Sequence, residues 1–337
     1  MREVTWIRRL ALLGALLALC VVVLGGYTRL SNSGLGCPDW PGCFGHVMPQ
    51  GDAENYATAA DVHKAWTEMI HRYAASTLGL VIVVIAAFSI RARREPGVRV
   101  GFALALLALV VFQGILGMLT VTWLLKPLIV TGHLLGGLTT FALLLWLWLS
   151  MRAQARPVNG VNVLIGNRIV ENGGRARLLA ALALAALGLQ VFLGGWTSSN
   201  YAAMACPDLP RCQAQWVPDA DYRDAFVLWR GLGINYAGGV LDHPARVAIH
   251  FTHRLGAILA TVLLLAAAIS ALGAGRGARW AGIAVVAALV LQLSIGIFMV
   301  LRAFPLPLAA SHNAGAALLV AATVWLNRSL RPVAQFG

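Results

Sequence analysis

Charge is scarce in this chain. Only 12% of its 337 residues are Asp, Glu, Lys or Arg, and the acids number 13, whereas a soluble domain is about a quarter charged. That deficit excludes a surface bathed in water throughout. Cysteine is sparse too, five in all, and the Cys-x5-Cys spacing of four of them is not a usual zinc signature. No nicotinamide or flavin motif occurs, so nothing in the sequence supplies or accepts a hydride.

What is present is apolar. Hydrophobic residues make up 59% of the chain and gather in eight runs, near 8–29, 66–90, 99–122, 128–151, 178–199, 246–272, 279–302 and 308–327. Each approaches the roughly 20 residues that a helix needs to cross the hydrocarbon core, and backbone in lipid must pair within its own segment. The expected fold is an all-α membrane protein with eight transmembrane helices. Arg8 and Arg9 before the first run resemble a signal peptide, but a related segment recurs in mid-chain, so a retained helix is expected.

The net charge of +13 is one-sided. With the N-terminus inside, the segments expected in the cytoplasm hold sixteen basic and three acidic residues, and the other segments ten of each. This is the positive-inside pattern. It puts both termini in the cytoplasm and removes the need for a nucleic-acid partner. Membrane lipid is the surrounding phase, and a bacterial inner membrane the expected location.

The two halves of the chain recur in order. Gly25-Gly26 with Thr28 returns as Gly194-Gly195 with Thr197, and Cys37-Pro38-Asp39-Trp40-Pro41-Gly42-Cys43 as Cys206-Pro207-Asp208-Leu209-Pro210-Arg211-Cys212. His71-Arg72 returns as His253-Arg254, Gln113 as Gln292, and His133 with Gly136 as His312 with Gly315. The expectation is two duplicated four-helix bundles, 1–151 and 178–337, joined by a polar cytoplasmic linker at 152–177.

Four of the eight histidines belong to this recurrence. His71 and His133 lie at similar depth, roughly 9 Å below the outer boundary at 1.5 Å per residue, and His253 and His312 at equivalent depths. Two level imidazoles on neighbouring helices suit the two axial positions of one haem iron, giving one site per half. Gly136 and Gly315, one turn from a histidine, would open a flat slot. A bare zinc or copper ion would need three or four ligands. The competing reading is packing, with imidazoles hydrogen-bonded between helices. His46, His63 and His243 are expected in external loops without a role.

Glu68 shares a helix face with His71, while His250 takes its place in the second half. A carboxylate beside one site only would let similar sites do different work, as a base or by stabilising positive charge. Interfacial pairing with Lys64 is the alternative. Cys37 with Cys43 and Cys206 with Cys212 face an oxidising space, which favours a short-loop disulfide in each half; a structural clamp and a transient redox role both remain open. Arg29, Arg72, Arg246 and Arg254 are candidates for haem propionates, or alternatively for interfacial anchoring.

The stretch Gly25-Gly26-Tyr27-Thr28-Arg29-Leu30 with Ser33-Gly34-Leu35, the Cys-Pro-Asp-Trp-Pro run, Glu68-Met69-Ile70-His71-Arg72, and Tyr236–Asp242 leading to His250-Phe251-Thr252-His253-Arg254 resemble the haem A synthase family over essentially the whole chain. The resemblance implies oxidation of the C8 methyl of haem O to a formyl group. It implies a haem b cofactor on His253 and His312, and substrate haem O at His71, His133 and Glu68. Haem O synthase and an electron-transfer protein are the partners it suggests. The Leu209-Pro210-Arg211 turn departs from Trp40-Pro41-Gly42, so the second clamp is expected to sit differently. A two-haem b-type electron-transfer cytochrome is the alternative function; it would have no use for Glu68. A haem transporter is a third, disfavoured by histidines at one depth.

Overall fold

A computed structural model describes residues 2–50, 58–154 and 161–331. Eight long helices dominate: α1 Arg2–Leu30, α2 Ala59–Arg91, α3 Val100–Thr122, α4 Pro127–Gln154, α5 Val161–Ser199, α6 His243–Ala271, α7 Arg276–Leu301 and α8 Leu306–Ser329. Each contains a stretch long and apolar enough to span a membrane. Part of the expected linker, residues 155–160, lies outside the described residues.

Several helices overrun their apolar runs at the outer end. The α2 helix starts at Ala59, where the Thr58 side chain accepts from Asp61 N–H and so satisfies one of the orphan donors of the first turn. His63 and His243 therefore sit in the first turns of α2 and α6 rather than in loops, and both are exposed. Hydropathy misses such turns because they are polar and project beyond lipid.

Within the first half α1 packs on α2 and α4, and α3 on the same two helices. In the second half α5 packs on α6 and α8, and α7 on those two. The halves meet through α1, α4, α5 and α8. Close approach there relies on small residues: a Cβ on Gly26 would stand 2.6 Å from Asn313 Nδ2, and one on Gly195 3.1 Å from Leu134 and Thr131 side-chain atoms. Beside these contacts Arg29 donates to Ser198 O at 2.6 Å, and Tyr201 OH pairs with Asn32 Oδ1 at 3.4 Å. Each of these two bonds joins residues at matching places in the sequence recurrence.

The tight connections also match. Leu124-Leu125 after α3 and Ala303-Phe304 after α7 all adopt positive φ. Leu125 N–H reaches Thr120 O and Phe304 N–H reaches Met299 O, both at 2.8 Å, which caps the helix ends as a Schellman motif does. One element crosses over: the external segment before α6 reaches the first half, where Tyr236 N–H donates to Leu124 O. Lys126, 1% exposed, donates to Arg230 O at 2.5 Å and lies 3.2 Å from the centroid of the Trp229 ring. Desolvation lowers its pKa below the ordinary lysine value.

The first external loop is pressed onto α2 at Gly36, where a Cβ would come within 2.7–2.8 Å of Lys64 and Ala65 backbone atoms. Backbone cannot step aside as a side-chain tip can. Gly36→Ala is expected to lower stability by about 1–3 kcal/mol, read as a lower unfolding midpoint in detergent. Gly101→Ala, where a Cβ meets nothing within 4 Å, serves as the control. An unchanged midpoint for Gly36→Ala would contradict the contact.

Candidate functional site

Each of the four recurrent histidines brings the Cε1 side of its ring against a glycine of the preceding helix. A Cβ built on Gly25 would lie 2.8 Å from His71 Cε1, on Gly117 3.5 Å from His133 Cε1, on Gly194 3.2 Å from His253 Cε1, and on Gly296 3.1 Å from His312 Cε1. Absence of that atom lets the ring approach closely at Gly25, Gly194 and Gly296, whereas at Gly117 a Cβ would make an ordinary contact. Gly136 and Gly315, expected to open a slot for a macrocycle, do something else. A Cβ on Gly136 would collide with the Gln113 amide, and one on Gly315 with that of Gln292, so these glycines make room for glutamine.

In the first half His71 and His133 face each other with ring centroids 6.4 Å apart and planes at 88°. With metal–nitrogen bonds of about 2.0–2.1 Å and a nitrogen about 1.1 Å from its ring centre, two imidazoles on opposite sides of one ion have centroids about 6.3 Å apart. The observed separation fits an axial pair. The rings border a cavity of about 940 Å³ that is also lined by Arg29, Glu68, Gln113 and Gly117. That size stands near the top of the roughly 300–1,000 Å³ range of small-molecule sites. His133 Nδ1 and both amide atoms of Gln113 are buried there without a hydrogen-bond partner, so the wall offers donors and acceptors to an occupant.

The second half differs in polarity. Gln190 Nε2 lies 3.1 Å from His253 Nδ1, and Gln292 Nε2 lies 3.2 Å from His312 Nε2. His312 Nδ1 has no partner. The unpaired nitrogen leaves the His312 ring able to hold a metal. Gln190 escaped the sequence reading; its counterpart in the recurrence is Val21, and a lone amide inside an apolar run was the available signal. No group of three or more His, Cys, Asp or Glu suited to a bare metal ion occurs among the described residues.

Both Cys-x5-Cys segments close as disulfides, Cys37–Cys43 and Cys206–Cys212. The hairpins are alike despite their different turns. Asp39 accepts from Phe44 and Gly45 N–H at 2.7 and 2.8 Å, and Asp208 from Gln213 and Ala214 N–H at the same distances. These donors hold both carboxyls below the usual Asp range, against partial burial in the case of Asp39. Inside the hairpins the same carboxylate bonds recur despite the Leu209-Pro210-Arg211 turn, while the fixing to the helix differs: Cys37 N–H donates to Glu68, whereas Cys206 O accepts from Arg254.

The arginines expected at propionates are occupied by these loops. Arg72 donates to Asp39 O at 2.9 Å and Gly42 O at 2.6 Å. Arg254 donates to Asp208 O and Arg211 O at 2.8 Å and to Cys206 O at 2.7 Å. Arg246 Nε donates to Leu241 O at 2.8 Å. Arg29 and Arg254 each keep a buried Nε without a partner, and of these two Arg29 lines the cavity, its guanidinium stacking 4.2 Å from the Tyr201 ring centre. Glu68, 4% exposed, pairs with Arg72 at 2.5 Å and accepts Cys37 N–H at 2.9 Å; Lys64 pairs instead with Asp61. The carboxylate thus ties the first disulfide loop to α2 while lining the cavity. His250 in its place is buried against Phe304.

Paired imidazoles beside a haem-sized cavity agree with what related sequences are called. The model of the cytochrome oxidase assembly protein family matches residues 8–324. The chain belongs to that family. It is 41% identical over 336 residues to a haem A synthase of Shewanella oneidensis, covering 96% of each chain. It is 28% identical to a haem A synthase of Rhizorhabdus wittichii, covering 95% of this chain and 92% of the relative. It is 29% identical to one of Caulobacter vibrioides, covering 94% of each.

The Glu68–Arg72 pair separates otherwise matching clamps. Replacing Arg72 or Arg254 by Met removes equivalent bonds to loop carbonyls, but only Arg72→Met strands a buried carboxylate. Its unfolding free energy is expected to fall by on the order of 3–5 kcal/mol more than that of Arg254→Met, with Glu68→Gln recovering much of the difference. Equal losses in detergent denaturation would contradict this.

Proposed function

We propose that this protein is a haem A synthase, a membrane enzyme that oxidises the C8 methyl of haem O to a formyl group. The observation that carries the reading is the His71–His133 pair, whose 6.4 Å ring separation suits one axially held iron beside a cavity of about 940 Å³. Similarity to haem A synthases across 96% of the chain supports it.

Substrate haem O sits in the first half between His71 and His133. Haem b is held in the second half by His253 and His312, and supplies a one-electron redox centre when bound. Glutamines on both second-half histidines support this division, because they fix the rings in a resident site. Glu68 balances positive charge that develops on the substrate, and Arg72 with Cys37 N–H keeps it oriented. Arg29, which lines the cavity and keeps an unpaired nitrogen, is the best placed of the four arginines to meet a propionate.

Conversion of methyl to formyl removes four electrons and adds one oxygen atom, so turnover draws on an electron acceptor outside the chain. The architecture is read as two duplicated four-helix bundles, 1–151 and 178–337. Contacts between matching residues, such as Arg29 with Ser198, support this, since a local two-fold axis generates them. The positive-inside pattern supports cytoplasmic termini in a bacterial inner membrane.

Expression beside a haem O producer, with chromatography of the extracted pigments, tests the function. Haem A or its hydroxymethyl precursor is expected. Unchanged haem O with two tightly bound haems b would instead mark an electron-transfer cytochrome. Glu68→Ala is expected to stall conversion with haem b still bound; complete loss of bound haem would make Glu68 structural.

A further inference from the structure

The cavity of the first half does not end at the histidines. Its wall continues along α2 and α3 through Ser76, Gly79, Val83, Leu107, Val111 and Gly114. Val83 and Val111 are 47% and 57% exposed, so the same surface lines the cavity and the outside of the bundle: the space opens sideways toward lipid. Gly79 and Gly114 form the floor of this opening, and a Cβ on either meets nothing within 4 Å. Their counterparts, by the registers that pair His71 with His253 and Gln113 with Gln292, are Thr261 and Leu293. Glycine thus stands only in the half that takes substrate.

A polar group guards the inner end of the opening. Gln113, adjacent to Gly114, is 7% exposed, lines the cavity, and leaves both amide atoms without partners. A buried, unsatisfied amide costs free energy unless an occupant pairs with it. Its counterpart Gln292 is turned onto His312.

We propose that the α2–α3 opening is the seat of the substrate's isoprenoid chain, with Gln113 bonding the hydroxyl where that chain joins the porphyrin. This rests on the haem A synthase reading. Haem O differs from haem b by this hydroxyalkyl isoprenoid substituent, so the groove selects haem O against the cofactor type of haem and admits it from the bilayer. Apolar wall residues and the lateral exit suit a chain that remains partly in lipid, and the single amide suits its single hydroxyl.

The test fills the groove with the residues that the other half carries. Full-length protein with Gly79→Thr or Gly114→Leu is assayed for haem O conversion, for retained haem b, and for first-half binding of iron protoporphyrin IX, which lacks the chain. Conversion is expected to fall at least about tenfold, the usual scale for added bulk in an apolar pocket, with haem b content and protoporphyrin affinity unchanged. Both sites have room for a side chain; should either variant fold poorly, Gly79→Ala and Gly114→Ala give the same ordering at smaller amplitude. Gln113→Leu is expected to lose preference for haem O over protoporphyrin. Wild-type rates in the filled variants, or equal loss of both haems, would overturn the groove. Wild-type protein that leaves haem O unconverted would overturn the underlying reading, and the groove with it.

Discussion

Contact between an imidazole ring and the bare backbone of a glycine on the helix before it governs the interior of this protein. It occurs four times, at Gly25–His71, Gly117–His133, Gly194–His253 and Gly296–His312, with a hypothetical Cβ only 2.8–3.5 Å from the ring. At Gly25 a methyl group would force the ring or the helix to shift, at Gly194 and Gly296 the ring would have to give by a few tenths of an ångström, and at Gly117 it would make an ordinary contact. The contact fixes the spacing of each helix pair and the direction of each ring together. Ring directions are therefore set by packing, which would lower the ordering cost of binding an occupant.

A second set of bonds closes the outer end. Arg72 and Arg254 gather the carbonyls of the two disulfide hairpins onto α2 and α6, so the loops cannot drift from the helices that carry His71 and His253. On this common frame the halves diverge at a few positions. Glu68 faces His250, Val21 faces Gln190, and Gly79 faces Thr261 across the recurrence. Glu68 lines the cavity where His250 packs on Phe304, and Gln190 bonds His253 where Val21 has nothing to donate.

The eight spans were legible in the sequence because lipid imposes a hydropathy rule on every residue facing it, and the disulfides because both cysteine pairs lie in matched short loops. The four recurrent histidines were legible as a set for the same reason: recurrence singles out residues whose identity matters. Which neighbour each residue meets was not. Gly136 sits one turn from His133 and reads as its companion, yet the space it makes is taken by Gln113 from α3. Arg72 stands beside a histidine near the interface and reads as a propionate partner, yet its donors go to a loop thirty residues earlier. Periodicity along a helix reports a shared face; it carries no information about the side chain that approaches from another helix.

The central claim is that imidazoles from alternate helices meet across one iron in each half. The iron spectrum of the purified, haem-loaded protein tests it most directly. Two imidazoles on one haem give a low-spin centre; replacing His253 or His312 by Ala is predicted to convert the second-half signal to high spin or abolish it, with His46→Ala leaving it untouched. A spectrum indifferent to both His253 and His312 would contradict the account.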